Sequence, residues 1–265
     1  LADITLRALD VLKRVAVVAA EDTRTTSRLL GHYGIVNPLL ALHEHNERRA
    51  AQQILRLLAQ GKSVALVSDA GTPGISDPGA IAVALVREAG HPVVPVPGAN
   101  AAVCALSAAG GSAAHFLFYG FLPPQRAARR RVLAGLGTLP YTMVFYEAPH
   151  RVVASIEDIA AAFGAERSLT IARELTKLFE SIHSCKLGDA AAWMAADANR
   201  IRGEFVLLVE GAAPAAAVDA DAVRRSLEIL LRELPLRQAV KLAAEISGAR
   251  KNDSYELALK LKPTS

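Results

Sequence analysis

Residues 64–79 read Val-Ala-Leu-Val-Ser-Asp-Ala-Gly-Thr-Pro-Gly-Ile-Ser-Asp-Pro-Gly. A short apolar run leads into a loop in which five of the nine residues from 71 to 79 are glycine or proline. Glycine permits positive φ and lets a ligand approach the backbone, whereas proline stiffens the chain. In open α/β sheets, ligands bind at the carboxyl ends of the strands. The stretch therefore predicts a buried strand and a ligand-binding loop, with a plain connecting turn as the alternative.

The composition of the chain favours a globular protein. Of its 265 residues 52% are hydrophobic, yet its apolar runs are far shorter than the roughly 20 residues that cross a bilayer. Cys104 and Cys185 make neither a disulfide framework nor a zinc-site spacing. No signal-peptide pattern opens the sequence. We therefore expect a cytoplasmic location.

The first part of the chain, residues 1–111, alternates short apolar runs with segments of helical periodicity. This alternation is typical of a parallel α/β domain. Thr5 and Asn46 are predicted N-caps. The sequence begins Leu1-Ala2-Asp3 in a helical pattern, whereas such domains usually open with a strand, so we expect a segment upstream. The predicted strands are 15–20, 64–68 and 93–96, and the predicted helices are about 5–13, 24–33, 46–60, 77–90 and 100–109.

The remainder of the chain divides into a second α/β domain, 112–211, and a helical third domain with its linker, 212–265. An Ala, Pro and Asp-rich linker at 212–220 separates the two, and Ser247-Gly248 is a predicted turn of a helix-turn-helix kind. In the second domain we predict strands 116–119, 142–146, 169–173 and 205–210, with helices near 126–136, 150–163 and 188–198. In the third we predict helices 221–234, 236–246 and 252–261.

Polar clusters follow several of the predicted strands. Ala-Glu-Asp-Thr-Arg-Thr-Thr at 20–26 and Pro-Val-Pro-Gly-Ala-Asn-Ala at 95–101 lie at the same sheet edge as the glycine loop. Backbone amides at the start of a helix after residue 99 suit a carboxylate or phosphate. The alternatives are an N-cap at Asp22 or Thr23, worth about 1 kcal/mol, and a simple turn at Pro97-Gly98.

Three more clusters occur in the second domain. They are Phe-Tyr-Glu-Ala-Pro-His-Arg at 145–151, Ala-Arg-Glu-Leu-Thr-Lys at 172–177 and Arg-Gly-Glu at 202–204. Each alone fits a surface ion pair, which contributes under about 1 kcal/mol. Together they predict a charged wall that faces the glycine loop.

Other chemistries find little support. The chain has no Walker lysine after the glycine loop, no Gly-x-Ser-x-Gly elbow and no Gly-x-Gly-x-x-Gly after a strand. His43 and His45, with Glu44 and Glu47, lack a third metal ligand and are interpreted as solvated loop residues. We therefore predict no metal site.

Positive charge is concentrated in two zones, although the net charge is only +4. The segment 125–131 reads Gln-Arg-Ala-Ala-Arg-Arg-Arg, and a more dilute zone covers 224–262. Local clusters attract a polyanion such as RNA more than the average charge does. The alternative for each zone is a solvated helix face.

The motifs together resemble the tetrapyrrole methylase superfamily, in particular its members that methylate ribosomal RNA. The resemblance rests on 69–79, 20–24, 145–151, 172–177 and 202–204, and the tail at 233–252 resembles the C-terminal extension of those RNA enzymes. It implies a parallel-sheet domain, a mixed-sheet domain and a small helical domain, with an opening strand and glycine loop before Leu1. It also implies a homodimer that uses S-adenosylmethionine to methylate the ribose 2′-hydroxyl of a cytidine in the decoding region of 16S ribosomal RNA, in the 30S subunit.

The resemblance assigns roles to individual residues. The cofactor-binding set is Asp69, Gly71, Thr72, Pro73, Gly74, Ile75, Ala99, Asn100, Ala101, Tyr146 and Arg173. On chemical grounds, the predicted base or orienting group is Asp22, Glu147 or Glu174, with Lys177 or Arg24 steering phosphate. The predicted RNA-binding set is Arg24, Arg126, Arg129, Arg130, Arg131, Arg250 and Lys251. Two alternatives stay open: methylation of a small tetrapyrrole-like metabolite, and a non-catalytic RNA-binding factor in ribosome assembly.

Overall fold

The computed structural model of the chain describes residues 1–110, 115–213 and 219–261. Two compact units form, one of Leu1–Gly137 with Tyr141–Glu210 and the other of Thr138–Pro140 with Gly211–Ser265. The first unit holds two β-sheets, and the second holds the C-terminal helices. The predicted boundary at 111/112 and most of the predicted linker lie outside the described residues, so the three-domain division stays a prediction.

The first sheet is parallel and has three strands. β1 (Val17–Ala20), β2 (Leu39–Ala41) and β3 (Val64–Val67) lie in the order β2-β1-β3. Val18 packs with residues such as Leu12 and Leu30, whereas Ala19 packs with a cluster that includes Ile54. Because β1 is covered on both faces, its sequence is a continuous apolar run. The helices of this part are α1 (Leu6–Arg14), α2 (Thr23–His32), α3 (Glu47–Ala59), α4 (Ala80–Glu88) and α5 (Ala101–Ala109).

The caps agree with the sequence in part. Thr5 caps α1, since its side chain accepts a hydrogen bond from Ala8 N at 3.1 Å. Asn46 occupies the N-cap position of α3, but its side chain accepts from His43 N and makes no helix cap bond. The three-residue strand β2 was not predicted, because so short a run carries no clear alternation.

The predicted strand at 93–96 was wrong. No strand is assigned there, and Val93 and Val94 are 39% and 66% exposed. An extended segment becomes a strand only where a neighbour supplies hydrogen-bond partners. Among the described residues β3 pairs only with β1, and Val96 lies across a cavity from β3. Residues 93–96 are therefore apolar but do not pair in a sheet.

The second sheet is mixed, with five strands. These are β4 (Phe116–Phe121), β5 (Thr142–Glu147), β6 (Ser168–Arg173), β7 (Ser181–Lys186) and β8 (Phe205–Val209), in the order β4-β5-β8-β6-β7. Only β4 and β5 are parallel. β7 was missed because it is an edge strand whose residues are largely polar and partly exposed.

Helices cover both faces of the second sheet. α6 (Arg126–Leu136), α7 (Val152–Phe163) and α8 (Leu187–Ala195) pack against one face, where Phe145, Ile171 and Leu207 are buried. α5 covers the opposite face through Ala102 and Ala105. Because α5 follows the first sheet in the chain, it joins the two sheets into one unit.

The C-terminal unit is a three-helix cluster, as predicted. α9 (Ala220–Glu233), α10 (Leu236–Ser247) and α11 (Lys251–Leu261) enclose an apolar core that includes Leu227 and Val240. Gly248 ends α10 in the left-handed conformation with φ 69°. This conformation, which glycine adopts without a Cβ clash, makes the predicted turn.

A buried carboxylate fixes the start of α4. Glu47, on α3, is 7% exposed and accepts hydrogen bonds from Gly79 N at 2.9 Å, Ile81 N at 2.7 Å and Ala82 N at 3.2 Å. The first amides of a helix have no partner within the helix, and Gly79 brings no side chain to cap them. Glu47 therefore anchors the end of the glycine loop.

We expect Glu47→Ala to lower the free energy of unfolding by about 2 kcal/mol, because buried amides lose their acceptor. Urea denaturation followed by circular dichroism measures the change. Glu44→Ala is the control, since that side chain is 80% exposed. Equal stability of the two variants would contradict the anchoring role.

Candidate functional site

The loop between β3 and α4 has a tightly defined backbone. Gly74 N donates to Pro78 O and Ile75 N donates to Thr72 O. Gly79 has φ 133°, and a Cβ there would lie 2.8 Å from a Leu66 methyl group. Position 79 therefore requires glycine both for its dihedral angle and for its close packing.

The loop also touches the second sheet. Ser76 has an unusual φ of 64°, and its Oγ lies 2.9 Å from where a Cβ of Gly120 would stand. Gly120 is at the register irregularity of β4. Nearby, Tyr146 at the end of β5 accepts a hydrogen bond through its hydroxyl from Ala102 N at 3.2 Å. The glycine loop, the start of α5 and the ends of β4 and β5 thus converge.

A cavity of about 550 Å³ opens beside β3. Its volume falls within the range of about 300–1,000 Å³ that is usual for ligand sites. Part of the predicted cofactor-binding set lines it, namely Asp69, Gly71, Pro73 and Ala99. Thr72 Oγ1 donates to Ala99 O at 3.4 Å, which connects the two predicted loops. Asn100 caps α5 by accepting from Val103 N at 3.2 Å, so Asn100 and Ala101 sit at a helix start.

Three carboxylates gather where β1 and β3 end. Asp69 N donates to Glu21 Oε2, and Asp22 N donates to Asp69 Oδ1, each at 3.2 Å. Asp77 is half-buried beside them. Burial first, and then the negative charges of Glu21 and Asp69, raise the pKa of Asp77 to about 6, although a hydrogen bond with Ser68 opposes the rise. This edge of the first sheet therefore carries concentrated negative potential.

Asp22 acts as a helix cap. Its Oδ1 accepts from Arg24 N at 2.8 Å, and its Oδ2 lies 2.6 Å from the Arg24 guanidinium. Hydrogen bonds from the Arg24 side chain and backbone lower the pKa of Asp22 to about 2. The predicted alternative, that Asp22 is a helix cap, therefore accounts for the geometry of its side chain. Arg24 is an exposed cation that is held by its ion pair with Asp22.

Glu147 is buried and fully engaged. It is 2% exposed and accepts hydrogen bonds from Ala148 N at 2.9 Å, the Arg151 guanidinium at 2.5 Å and Ser155 Oγ at 2.6 Å. Ala148 and Arg151 lie in the turn between β5 and α7, and Ser155 lies on α7. Glu147 thus stabilises the start of α7.

Glu174, Lys177 and Glu204 come together as part of the predicted charged wall, and its facing the glycine loop stays a prediction. Lys177 Nζ lies 2.9 Å from Glu174 Oε1 and 2.8 Å from Glu204 Oε2. The Lys177 hydrogen bond, and then the Glu204 amide, lower the pKa of Glu174. Burial disfavours the Lys177 cation, but its bonds to Glu204 and Glu174 outweigh that and raise its pKa.

Backbone geometry holds this wall in place. Glu174 and Thr176 have φ of 52° and 63°, and a Cβ on Gly203 would lie 2.5 Å from Glu174 Cγ. Arg173 donates to Ser181 Oγ and to the backbone carbonyls of Asn199, Arg202 and Phe179. Arg173 therefore supports the neighbouring loops, and its guanidinium is already engaged.

Most of the arginine cluster on α6 is bound internally. Asp158 on α7 is fully buried and lies 3.1, 2.6 and 2.7 Å from the guanidinium groups of Arg126, Arg129 and Arg130. Burial alone would raise the pKa of Asp158, but these hydrogen bonds hold it below its usual value. Arg129 is itself buried, so it does not reach an external phosphate in this conformation.

Exposed cations that form no ion pair within the described residues remain at three of the predicted RNA-binding positions. Arg131, on α6, is exposed and makes no ion pair within the described part of the chain. Arg250 and Lys251 are exposed at the turn between α10 and α11. Arg126 and Arg130 are also partly accessible, with side chains 64% and 52% exposed.

Glu47 and Asp77 were not among the predicted site residues, whereas Glu21 belongs to the predicted cluster at 20–26. The signal for Asp77 was present, since it lies inside the glycine loop and follows the same strand as Asp69. Nothing in the sequence near Glu47 indicates its contact with α4, 32 positions further on.

Two classes of site find no support among the described residues. The rings of His43 and His45 are 6.0 Å apart, and no group of three His, Cys, Asp or Glu side chains converges there or elsewhere in 1–110, 115–213 and 219–261. Within the same residues, no helix has the length and hydropathy needed to cross a membrane.

Solved structures share the α/β fold. The methyltransferase CobJ superposes with a TM-score of 0.60 at 20% identity, over 82% of this chain and 91% of its own. Uroporphyrin-III C-methyltransferase from Thermus thermophilus, complexed with S-adenyl homocysteine, gives 0.55 at 17% identity, over 79% and 91%. The predicted combination of a parallel sheet and a mixed sheet is confirmed.

Sequence comparisons extend over nearly the whole chain. Proteins named ribosomal RNA small subunit methyltransferase I match it at 51% identity in Escherichia coli O157:H7, over 98% of this chain and 91% of theirs, and at 45% in Neisseria meningitidis serogroup A, over 99% and 90%. The profile of the tetrapyrrole (corrin/porphyrin) methylases matches residues 1–191, and that of the RsmI C-terminal HTH domain matches 216–262. The chain therefore belongs to the tetrapyrrole methylase family, in the group whose members carry the name ribosomal RNA small subunit methyltransferase I.

Proposed function

We propose that the protein transfers a methyl group from S-adenosylmethionine to the ribose 2′-hydroxyl of a cytidine in the decoding region of 16S ribosomal RNA. The substrate is the 30S subunit, and the protein acts in the cytoplasm as a homodimer. The observation that carries this proposal is the 51% identity to a ribosomal RNA methyltransferase over 98% of the chain. The match includes the helical tail, which a separate profile also covers.

The glycine-loop region fits the cofactor. The cavity beside β3 is large enough for a nucleoside, and Asp69, Gly71, Pro73 and Ala99 of the predicted cofactor-binding set line it. The carboxylates of Glu21 and Asp69 suit a positively charged sulfonium. When bound, S-adenosylmethionine supplies an electrophilic methyl group. The hydroxyl of Tyr146 lies at the start of α5, whereas Arg173 holds the loops next to Glu174.

In the reaction, the protein positions the ribose hydroxyl and helps to remove its proton. Methyl transfer requires the ribose hydroxyl in line with the methyl group, and fixing that geometry lowers the barrier greatly. Lys177 keeps a 47% exposed side chain while Glu174 and Glu204 hold its amine in place. This amine is suited to orienting a backbone phosphate near the hydroxyl. The exposed cations Arg131, Arg250 and Lys251 attract further phosphates.

Incubation of undermodified 30S subunits with labelled S-adenosylmethionine, followed by mass mapping of nucleosides, tests the proposal. We expect label in 2′-O-methylcytidine of the decoding region. A base methyl would contradict the reaction. Activity on a pyrrole substrate with none on 30S subunits would select the metabolite enzyme, and no cofactor binding would select a non-catalytic assembly factor.

We expect Gly203→Ala to lower the rate of methyl transfer at least tenfold, because the new Cβ displaces Glu174 and with it Lys177. Single-turnover assays measure the rate. Gly164→Ala is the matched control: its φ of 91° imposes similar backbone strain, but nothing lies within 4 Å of the added atom. Equal loss of activity in both variants would show that backbone strain causes the loss. It would contradict a role of Glu174 and Lys177 in the reaction.

We expect Arg131→Ala and Arg129→Ala to behave differently. Loss of Arg131 weakens RNA binding and reduces the slope of log K against log salt concentration by about 0.7–0.9, with unchanged stability. Loss of Arg129 lowers the free energy of unfolding by about 3 kcal/mol, since it removes one partner of a buried carboxylate. Salt-dependent binding assays and urea denaturation measure the two effects. A weakened salt dependence without destabilisation in Arg129→Ala would contradict the structural assignment.

A further inference from the structure

The proposed reaction requires a group that accepts the proton of the ribose hydroxyl, and the three predicted carboxylates are already engaged. Asp22 is held by Arg24, Glu147 by Arg151 and Ser155, and Glu174 by Lys177 and the Glu204 amide. A carboxylate whose oxygens accept such bonds is a weak base, because its charged form is already stabilised. None of the three is therefore suited to removing a proton from a hydroxyl.

Asp77 differs from these three carboxylates in its partners. Its neighbours are Glu21 beyond β1, Ser68 and Asp69 beyond β3, and Tyr146 at the end of β5. Within the described part of the chain no Lys, Arg or His forms an ion pair with Asp77. One of its carboxylate oxygens lies 3.9 Å from where a Cβ of Gly71 would stand, so it faces the backbone of the predicted cofactor loop.

The loop geometry holds Asp77 at this place. It lies between Ser76, whose φ is 64° and which contacts the Gly120 position of β4, and Pro78, whose carbonyl accepts from Gly74 N. Two residues later, Glu47 anchors Gly79. A side chain on so constrained a segment loses little further entropy when it meets a substrate group.

We propose that Asp77 is the general base that accepts the proton of the attacking ribose 2′-hydroxyl. This inference rests on the proposed function. As the ribose oxygen forms its bond to the methyl carbon, the carbon–sulfur bond breaks and its electron pair stays on sulfur. The hydroxyl proton moves to an Asp77 oxygen and later leaves to solvent. The products are the 2′-O-methyl ribose, S-adenosylhomocysteine and one proton.

The electrostatic environment supports this role. Burial, Glu21 and Asp69 raise the pKa of Asp77 to about 6, so the carboxylate is ionised at neutral pH yet more basic than an exposed aspartate. A base is most effective when its pKa lies near the working pH. Because the active form is deprotonated, the rate falls as the pH decreases through about 6.

The test compares wild-type protein with Asp77→Asn in single-turnover methylation of undermodified 30S subunits between pH 5 and 8. We expect the variant to be at least about 100-fold slower, the usual contribution of a general base, and to lose the rise of the rate near pH 6. The affinity for S-adenosylmethionine, measured by calorimetry, should change less than threefold. Asp77→Glu should recover part of the rate. Glu44→Gln, an exposed loop change, is the control and should keep the wild-type pH profile.

A second measurement does not depend on turnover. Carbon-13 NMR of labelled aspartate carboxyls should show a resonance that titrates near pH 6 in the wild type and is absent from Asp77→Asn. Absence of such a resonance in the wild type overturns the proposal, as does a variant with the wild-type rate and pH profile. Ribose methylation at the wild-type rate in Asp77→Asn refutes the base alone, whereas a wild-type protein that binds cofactor but never methylates ribose refutes the proposed function as well.

Discussion

The carboxylate of Glu47 is the contact on which the site depends most directly. Three backbone amides at the start of α4 point at one buried oxygen of this side chain. The contact determines where the glycine loop ends, and Gly79 can lie against Leu66 only because it lacks a Cβ. With both ends of the loop held, its backbone is rigid enough to present Asp69 and Asp77 in a defined arrangement.

The two sheets contribute to the site in different ways. The first sheet supplies the loop, the cavity and the carboxylates that follow β1 and β3. The second supplies Tyr146, whose hydroxyl meets the first turn of α5, and the Glu174, Lys177 and Glu204 wall. Since α5 packs on the second sheet, movement of either part would disturb contacts of the other.

Part of the charge in the α6 arginine cluster has a structural role in this protein. Asp158 is buried and needs cations to offset its desolvation, so it binds three of the four arginines of the α6 cluster. The number of arginines in the sequence is therefore larger than the number that is free to contact RNA. Asp22, Glu147 and Glu174 are likewise held by internal partners, whereas Asp77 forms no ion pair within the described residues.

The sequence alone determined the elements whose signal is local. The apolar run before a loop rich in glycine and proline, the cap at Thr5 and the turn at Gly248 depend on neighbouring residues, and they were predicted within a few positions. Tertiary structure decided whether residues 93–96 pair as a strand, and which charged side chains are engaged. Those outcomes depend on partners distant in the chain, such as Arg129 and Asp158 or Glu47 and Gly79, because burial and hydrogen bonding are properties of the packed molecule.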